Sequence, residues 1–489
     1  MARPAVYVAQ LLSIALTLIV LAGAICYVID PYGLNENFMI TTVNRLKPET
    51  ETHERLYKAS VISKRHPTIL ALGTSRVQRG ITMSHPAWGG NIEDRYNAGL
   101  VGANMYETLK YFEHANNTRQ LKRVVIGLDL LAFNYYKLNQ ADFDEQLLSV
   151  DHQDMSVDAT LHRAKTYFSL STLHAVKTTL DGNCTNCFSP ILPDGQENPK
   201  VFEKALDEFG GHYALFFRND GVAVSLLHFP PPSHKFALLG PNGESQFPYL
   251  QRLIEIARRD HIDLRLFISP CHARQWEALR AAGLWPEFER WKEMLVKILA
   301  EDSARHPTEP AFPLWDFSGY NSISTEPVPV AGDTRTQMKW YWESSHYKTA
   351  VGNFVLNRIF NYRQRDSYYQ NESEGIATSC RTNCTTCADT LCEMHFGSAS
   401  KQDEIPPDFG VQLTQHNLTG HQSAILADGE RYRLTHQQDV ALLDQLASQA
   451  MADRESRLQR SHSHERTLPH HGITAQKTNG QRSRFAIHY

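Results

Sequence analysis

Between Pro4 and Ile29 the chain carries no charged side chain, and no other stretch limits so strongly what can be folded around it. Leu11, Leu12, Ile14, Leu16, Leu18, Ile19, Val20 and Leu21 make the run apolar, and it is longer than the roughly 20 residues a helix needs to cross a bilayer. Residues 5–29 are therefore expected to form a transmembrane anchor. Arg3 and the amino terminus precede the run, whereas Asp30 and Glu36 follow it. The positive-inside bias then puts the rest of the chain on the extracytoplasmic side of the membrane. Ala22-Gly23-Ala24 has the small-x-small form of a signal-peptide cleavage site, but the run exceeds the about 7–15 apolar residues of a signal sequence. An uncleaved single-pass anchor is the preferred reading, with a cleaved signal as its alternative.

The 489 residues suffice for one large core or two modest ones. With 49 basic and 53 acidic side chains the net charge is -4, so no broad positive field draws phosphates and a nucleic-acid partner is disfavoured. Of eight cysteines, six fall into two clusters, Cys184 with Cys187 and Cys380, Cys384, Cys387 with Cys392. Outside the cytoplasm disulfides persist and are favoured. Two Cys-x-x-Cys pairs also match zinc half-sites, and free thiols are the third option. No cofactor and no catalytic metal are expected.

Past the anchor, residues 30–67 read as a stalk or a first helix that opens on the turn Asp30-Pro-Tyr-Gly33. Thr68–Leu72 reads as a buried strand, Met105–Ala115 as a helix and Val124–Leu130 as a second strand. Regularity returns with a helix over Tyr249–Asp260, a strand over Leu264–Ile268, a helix over Trp285–Ala300 and a strand over Phe312–Phe317. This alternation predicts an α/β fold: a three-layer αβα sandwich on a mainly parallel sheet, over residues 68–360. An insertion is expected at about 135–248, where Phe229-Pro-Pro-Pro-Ser233 and the Asn-, Pro-, Gly- and Cys-bearing Asp181–Lys200 break the pattern. Residues 361–407 read as a cysteine-rich excursion and 408–453 as a C-terminal extension with a short helix over Val440–Met451. The polar residues 454–489 are expected to be disordered, since so little apolar surface cannot repay ordering entropy.

The strand Ile69-Leu-Ala-Leu72 ends abruptly in Gly73-Thr74-Ser75, which places a hydroxyl at a strand C-terminus, where open α/β sheets do their chemistry. A serine nucleophile needs a base, and the base needs a carboxylate to hold its tautomer. Trp342-Glu-Ser-Ser-His-Tyr347 supplies both, as Glu343 and His346. One strand-helix distance after Ser75, Tyr96-Asn-Ala-Gly-Leu-Val-Gly-Ala-Asn104 brings glycines that admit close backbone approach, and Val125-Ile-Gly-Leu-Asp129 ends the next strand.

In these blocks the chain resembles the SGNH (GDSL-like) hydrolase superfamily: an early Gly-x-Ser, a second-block glycine, a third block and a late acid-x-x-His, in that order. It is most similar to a membrane-anchored bacterial envelope branch, through the apolar N-terminus, the Asp-Pro-Tyr-Gly exit and the Gly-Thr-Ser-Arg block. The resemblance implies Ser75 as nucleophile, His346 as base, Glu343 as its carboxylate partner, and oxyanion donors at Gly99, Gly102 or Asn104. It also implies activity on acyl esters of cell-envelope polysaccharide, as an esterase or O-acyltransferase, with a membrane-protein partner as a possible source of the acyl donor. Two positions depart from the pattern. Glu343 stands where an aspartate is usual, and Asp129 stands where the third block has an asparagine amide. Arg76, Asp129 and His272 are the candidate substrate-binding residues. Against the enzyme stands a non-catalytic reading, an envelope protein that keeps the shell to bind glycan or assemble a complex. A hydrogen bond between Ser75 and His346 favours the enzyme, and a buried Ser75 favours the binding protein.

Overall fold

A strand that is apolar at every position has to be covered on both faces, and all four residues of Ile69–Leu72 are buried. In the computed structural model, which describes residues 3–34, 40, 43–148, 167, 169–182, 187–362 and 404–465, this segment is β1 of a six-stranded sheet. The others are β2 (Arg95–Asn97), β3 (Arg123–Leu128), β4 (Asp263–Ile268), β5 (Leu314–Asp316) and β6 (Val411–Leu413). Their order is β2-β1-β3-β4-β5-β6, all parallel except β6, which runs antiparallel to β5. The fold class is α/β. Successive side chains point to opposite faces: Leu70, Leu72, Val124, Ile126 and Leu266 join one core cluster, while Ile69, Ala71, Val125 and Phe267 join another.

The helices are α1 (Arg3–Ile29), α2 (Glu54–Arg65), α3 (Ser75–Gly80), α4 (Met105–Thr118), α5 (Leu170–Asp181), α6 (Lys200–Phe209), α7 (His212–Val222), α8 (Phe247–Arg259), α9 (Ala273–Ala281), α10 (Trp285–Arg305), α11 (Thr349–Ile359), α12 (Leu418–Thr435) and α13 (Gln437–Glu465). Leu109 and Phe112 of α4, Leu253 and Ile254 of α8 and Leu295 of α10 fill the first core. Val77 of α3 and Val351 and Val355 of α11 fill the second. Within α1, Val6–Ile29 is long and apolar enough to cross a membrane.

Three expectations need correction. Residues 30–67 are not a free stalk, because α2 is docked on the body. Arg55 is buried and donates to Glu107 from Nη2 at 2.6 Å and Nε at 3.0 Å, and Tyr111 donates to its carbonyl at 2.6 Å. Arg55 and Lys58 give α2 a polar composition although both are inside, paired with Glu107 and Glu54. The C-terminal extension is likewise part of the sheet: β6 covers the β5 edge, and Leu413, Leu418, Ile425 and Tyr432 enter the first core. Nor does order stop at residue 453, for α13 continues to Glu465. Leu443 and Ala447 pack it against Ala278 and Val224. A helix anchored at one end extends cheaply through good helix formers such as Arg, Glu, Leu and Gln. Most of the cysteine-rich excursion, with Cys380, Cys384, Cys387 and Cys392, and also Cys184, lies outside the described residues, so the disulfide expectation for those clusters falls there too. Cys26 and Cys271 are buried free thiols.

The α11 segment and the β1–α3 unit are brought together by two glycines. A Cβ on Gly352 of α11 would stand 1.8 Å from the Gly80 carbonyl oxygen, and one on Gly80 would stand 1.9 Å from the Tyr347 ring. This contact seats α3 directly against the segment that carries His346. Gly352→Ala should cost about 3 kcal/mol, as overpacking against backbone cannot be relieved by a rotamer change. Denaturant unfolding of the detergent-solubilised chain checks it, and a midpoint equal to wild type would contradict this packing.

Candidate functional site

In a parallel sheet the place where strand order reverses leaves a crevice at the strand C-termini. From β1 the chain goes to β2 on one side and, later, to β3 on the other. Ser75 follows β1 and Asp129 follows β3, so both sit at that switch point. The turn between β1 and α3 is tight enough to need glycine: Gly73 has φ +144°, and a Cβ there would meet the Gly127 carbonyl oxygen at 2.6 Å. Thr74 then caps α3, its hydroxyl accepting from Arg76 N at 3.3 Å and donating to Asp129 Oδ2 at 2.5 Å.

The structure brings Ser75, His346 and Glu343 together. Ser75 Oγ lies 2.8 Å from His346 Nε2, and Glu343 Oε1 is hydrogen-bonded to His346 Nδ1. Glu343 Oε2 also accepts from Ser345 N at 2.7 Å, so the additional methylene over an aspartate does not keep the carboxylate from the ring. A third group reaches the same ring. Arg79 Nη1 is 2.7 Å from Nε2. A guanidinium has only donors, so this contact requires a lone pair on Nε2, which puts the ring proton on Nδ1 and makes Glu343 its acceptor. Burial, followed by Arg79 and Arg76, holds the imidazole well below its ordinary value. His346 is thus neutral at neutral pH, the state a general base needs.

The remaining expected residues are placed as follows. Arg76 is not an open clamp: it donates to Asp129 Oδ1 from Nη1 at 2.5 Å and to Ser345 Oγ from Nη2 at 3.1 Å, tying α3 to β3 and to the His346 segment. Asp129 is consumed by that pair and by Thr74. His272 is the N-cap of α9, accepting from Arg274 N at 3.2 Å through Nδ1 and donating to Glu326 O at 2.7 Å through Nε2. All three are buried and structural. Two of the three expected oxyanion donors are engaged elsewhere. Gly99 N donates to Asn97 Oδ1 at 2.9 Å. Asn104 caps α4 by accepting from Glu107 N, and its amide donates to Asn139 at 2.8 Å. Gly102 sits in a turn held by Arg55, through Val101 O, and by Gln140, through its own carbonyl.

Three functional neighbours escaped the sequence reading. Arg79 lies four residues after Ser75, hence on the same helical face, and that spacing is a signal that could have found it. Glu197, which pairs with Arg79 Nε at 2.8 Å, and Phe202, whose ring centroid is 5.8 Å from that of His346, come from the insertion and carry no such signal. Phe202 stacks on Trp342 at 5.3 Å, and the Arg79 guanidinium lies 5.0 Å from its centroid. The insertion therefore roofs the crevice, and Ser75 is only 7% exposed. An open cavity of about 370 Å³ lies elsewhere, beside His85, Thr349 and Tyr362. Among the described residues no group of His, Cys, Asp and Glu is arranged to hold a metal ion.

A comparison with protein-family models gives no match for this chain, and no curated protein matches it either.

The His272 cap has a consequence for stability. Burial holds its imidazole down to about 3, whereas in the unfolded chain it titrates near 6.5. Below about pH 6.5 the unfolded chain takes up a proton that the folded chain refuses, so stability present above that pH is lost as pH falls. His272→Asn keeps a capping side chain without the titration. It should flatten the dependence of unfolding free energy on pH by about 1.4 kcal/mol per pH unit between pH 6 and 4, measured by denaturant unfolding at each pH. Equal slopes for the two proteins would refute this role.

Proposed function

We propose that this chain is a membrane-anchored serine ester hydrolase or O-acyltransferase of SGNH-like, three-layer αβα architecture, working through an acyl-Ser75 intermediate. The observation that carries this reading is the 2.8 Å contact between Ser75 Oγ and His346 Nε2, with Glu343 on the other ring nitrogen, at the switch point of a mainly parallel sheet. In such a step Ser75 Oγ bonds to the acyl carbon as its proton passes to His346 Nε2. That proton then goes to the departing alcohol oxygen as the ester C–O bond breaks. Water completes a hydrolysis, and a sugar hydroxyl completes a transfer.

The substrate class we favour is an acyl ester of envelope polysaccharide, met on the extracytoplasmic side. Its support is the charge asymmetry around Val6–Ile29 and the resemblance of the Gly73-Thr-Ser-Arg76 and Glu343-x-x-His346 blocks. The second reading, a glycan-binding or assembly protein on the same shell, is favoured by one observation, the 7% exposure of Ser75 beneath Phe202.

The two readings separate on the reactivity of the serine. The full chain in detergent should be labelled by a fluorophosphonate probe, Ser75→Ala should abolish labelling, and His346→Ala should slow it by about 10²–10⁴-fold. Folded wild-type protein that resists the probe would leave the binding protein as the correct reading.

A further inference from the structure

We propose that Arg79 supplies a cationic oxyanion donor of this site, where the Gly99 N–H and the Asn104 amide are spent elsewhere. The inference rests on Ser75 being the nucleophile. Acyl transfer needs hydrogen-bond donors aimed at the oxygen that becomes negative. At this switch point the third strand ends in Asp129, which offers no amide and is bound by Arg76 and Thr74. Gly99 N and the Asn104 amide already have intramolecular acceptors. Arg79 is the strong donor that stands at the reacting atoms. It lies one turn after Ser75 on α3, and both side chains converge on the same His346 Nε2, at 2.7 and 2.8 Å.

The surroundings of Arg79 are those of an oriented group. Glu197 holds Nε, Phe202 lies against the guanidinium face, and Gln196 fixes the Arg79 carbonyl at 3.0 Å. With its side chain held at the other end of the fork, Nη1 needs little reorganisation to turn from Nε2 to an incoming carbonyl oxygen. That turn also resolves a competition. Nε2 has one lone pair, and Arg79 and the Ser75 hydroxyl both approach it. When the carbonyl oxygen takes the Arg79 hydrogen bond, Nε2 is left to the Ser75 proton. As Oγ bonds to the acyl carbon, the C=O electron pair moves onto oxygen beside the guanidinium, and no proton leaves Arg79.

The same cation also contributes to the acidity of the base. Burial does most to keep the imidazole neutral into acid, and Arg79 beside Nε2 adds to it by disfavouring a second proton on His346. A residue that only filled space would not have that effect.

The experiment uses fluorophosphonate labelling of the full chain in detergent, since the phosphoryl oxygen occupies the position of the oxyanion. Arg79→Gln should lower the second-order labelling rate by about 10²–10³-fold and move the acid limb of its pH profile upwards. Arg79→Lys, which keeps the charge, should lose less rate and leave the limb near that of wild type. Glu197→Gln loosens the guanidinium without removing it and should slow labelling less than Arg79→Gln does; it also serves if Arg79→Gln fails to fold. Labelling of Arg79→Gln within about threefold of wild type, or equal slowing in the Arg79 and Glu197 variants, would overturn the proposal while leaving Ser75 as nucleophile. Wild-type protein that does not label, or labelling that survives Ser75→Ala, would remove the nucleophile itself and the Arg79 role with it.

Discussion

The ion pair between Arg76 and Asp129 is the contact on which the geometry of the crevice depends. It joins the end of β3 to the first turn of α3, and through Ser345 it reaches a segment 269 residues further along the chain. Both partners are almost wholly buried. Taking two charges out of water is costly, and removing either partner from such a pair typically costs 3–5 kcal/mol because the other is left uncompensated. The pair is therefore weak evidence for stability as such and stronger evidence for specificity. With Thr74 bridging the same carboxylate, it leaves the β1–α3 turn little freedom to place Ser75 anywhere but opposite His346.

Around that contact the protein concentrates arginine. Arg76 organises and Arg79 faces the ring, while Asp129 and Glu197 pair with them inside a region closed by Phe202 and Trp342. Low polarity strengthens each of these interactions and raises the penalty for any left unmade. It also keeps His346 deprotonated without a solvent-exposed base. The price of this arrangement is access, because the aromatic roof that dries the site also covers it. Phe202 belongs to α6, which packs on Trp342 together with Leu215 of α7, while the segment before α6 is hydrogen-bonded to β2 through Asp194 O and Asn97 N.

Much of the frame was legible in the chain. Thr68–Leu72, Met105–Ala115 and Leu264–Ile268 announce themselves by long apolar or periodic runs, and the structure moves their ends by a few residues only. Two of the three-residue strands do not: Arg95–Asn97 and Val411–Leu413 show no alternation to read and exist because a neighbouring edge is there to pair with. In α2 the misleading signal was composition, since a buried arginine and a buried lysine look like a solvated stalk until Glu107 and Glu54 are seen beside them.

The site divides in the same way. Sequence alone determined that a hydroxyl follows the first strand and that an acid and an imidazole lie three apart late in the chain, because these depend on local spacing. It also determined the apolar N-terminal run, because hydropathy is a property of composition. Only the tertiary structure decided which donors remain for chemistry. Arg76, Asp129, Asn104 and His272 are all of suitable type, yet each is held by a residue far away in the chain: Arg76 and Asp129 by each other, Asn104 by Asn139 and His272 by Glu326. A hydrogen-bonding group can be spent once, and where it is spent is a matter of packing between distant segments, which no local pattern encodes.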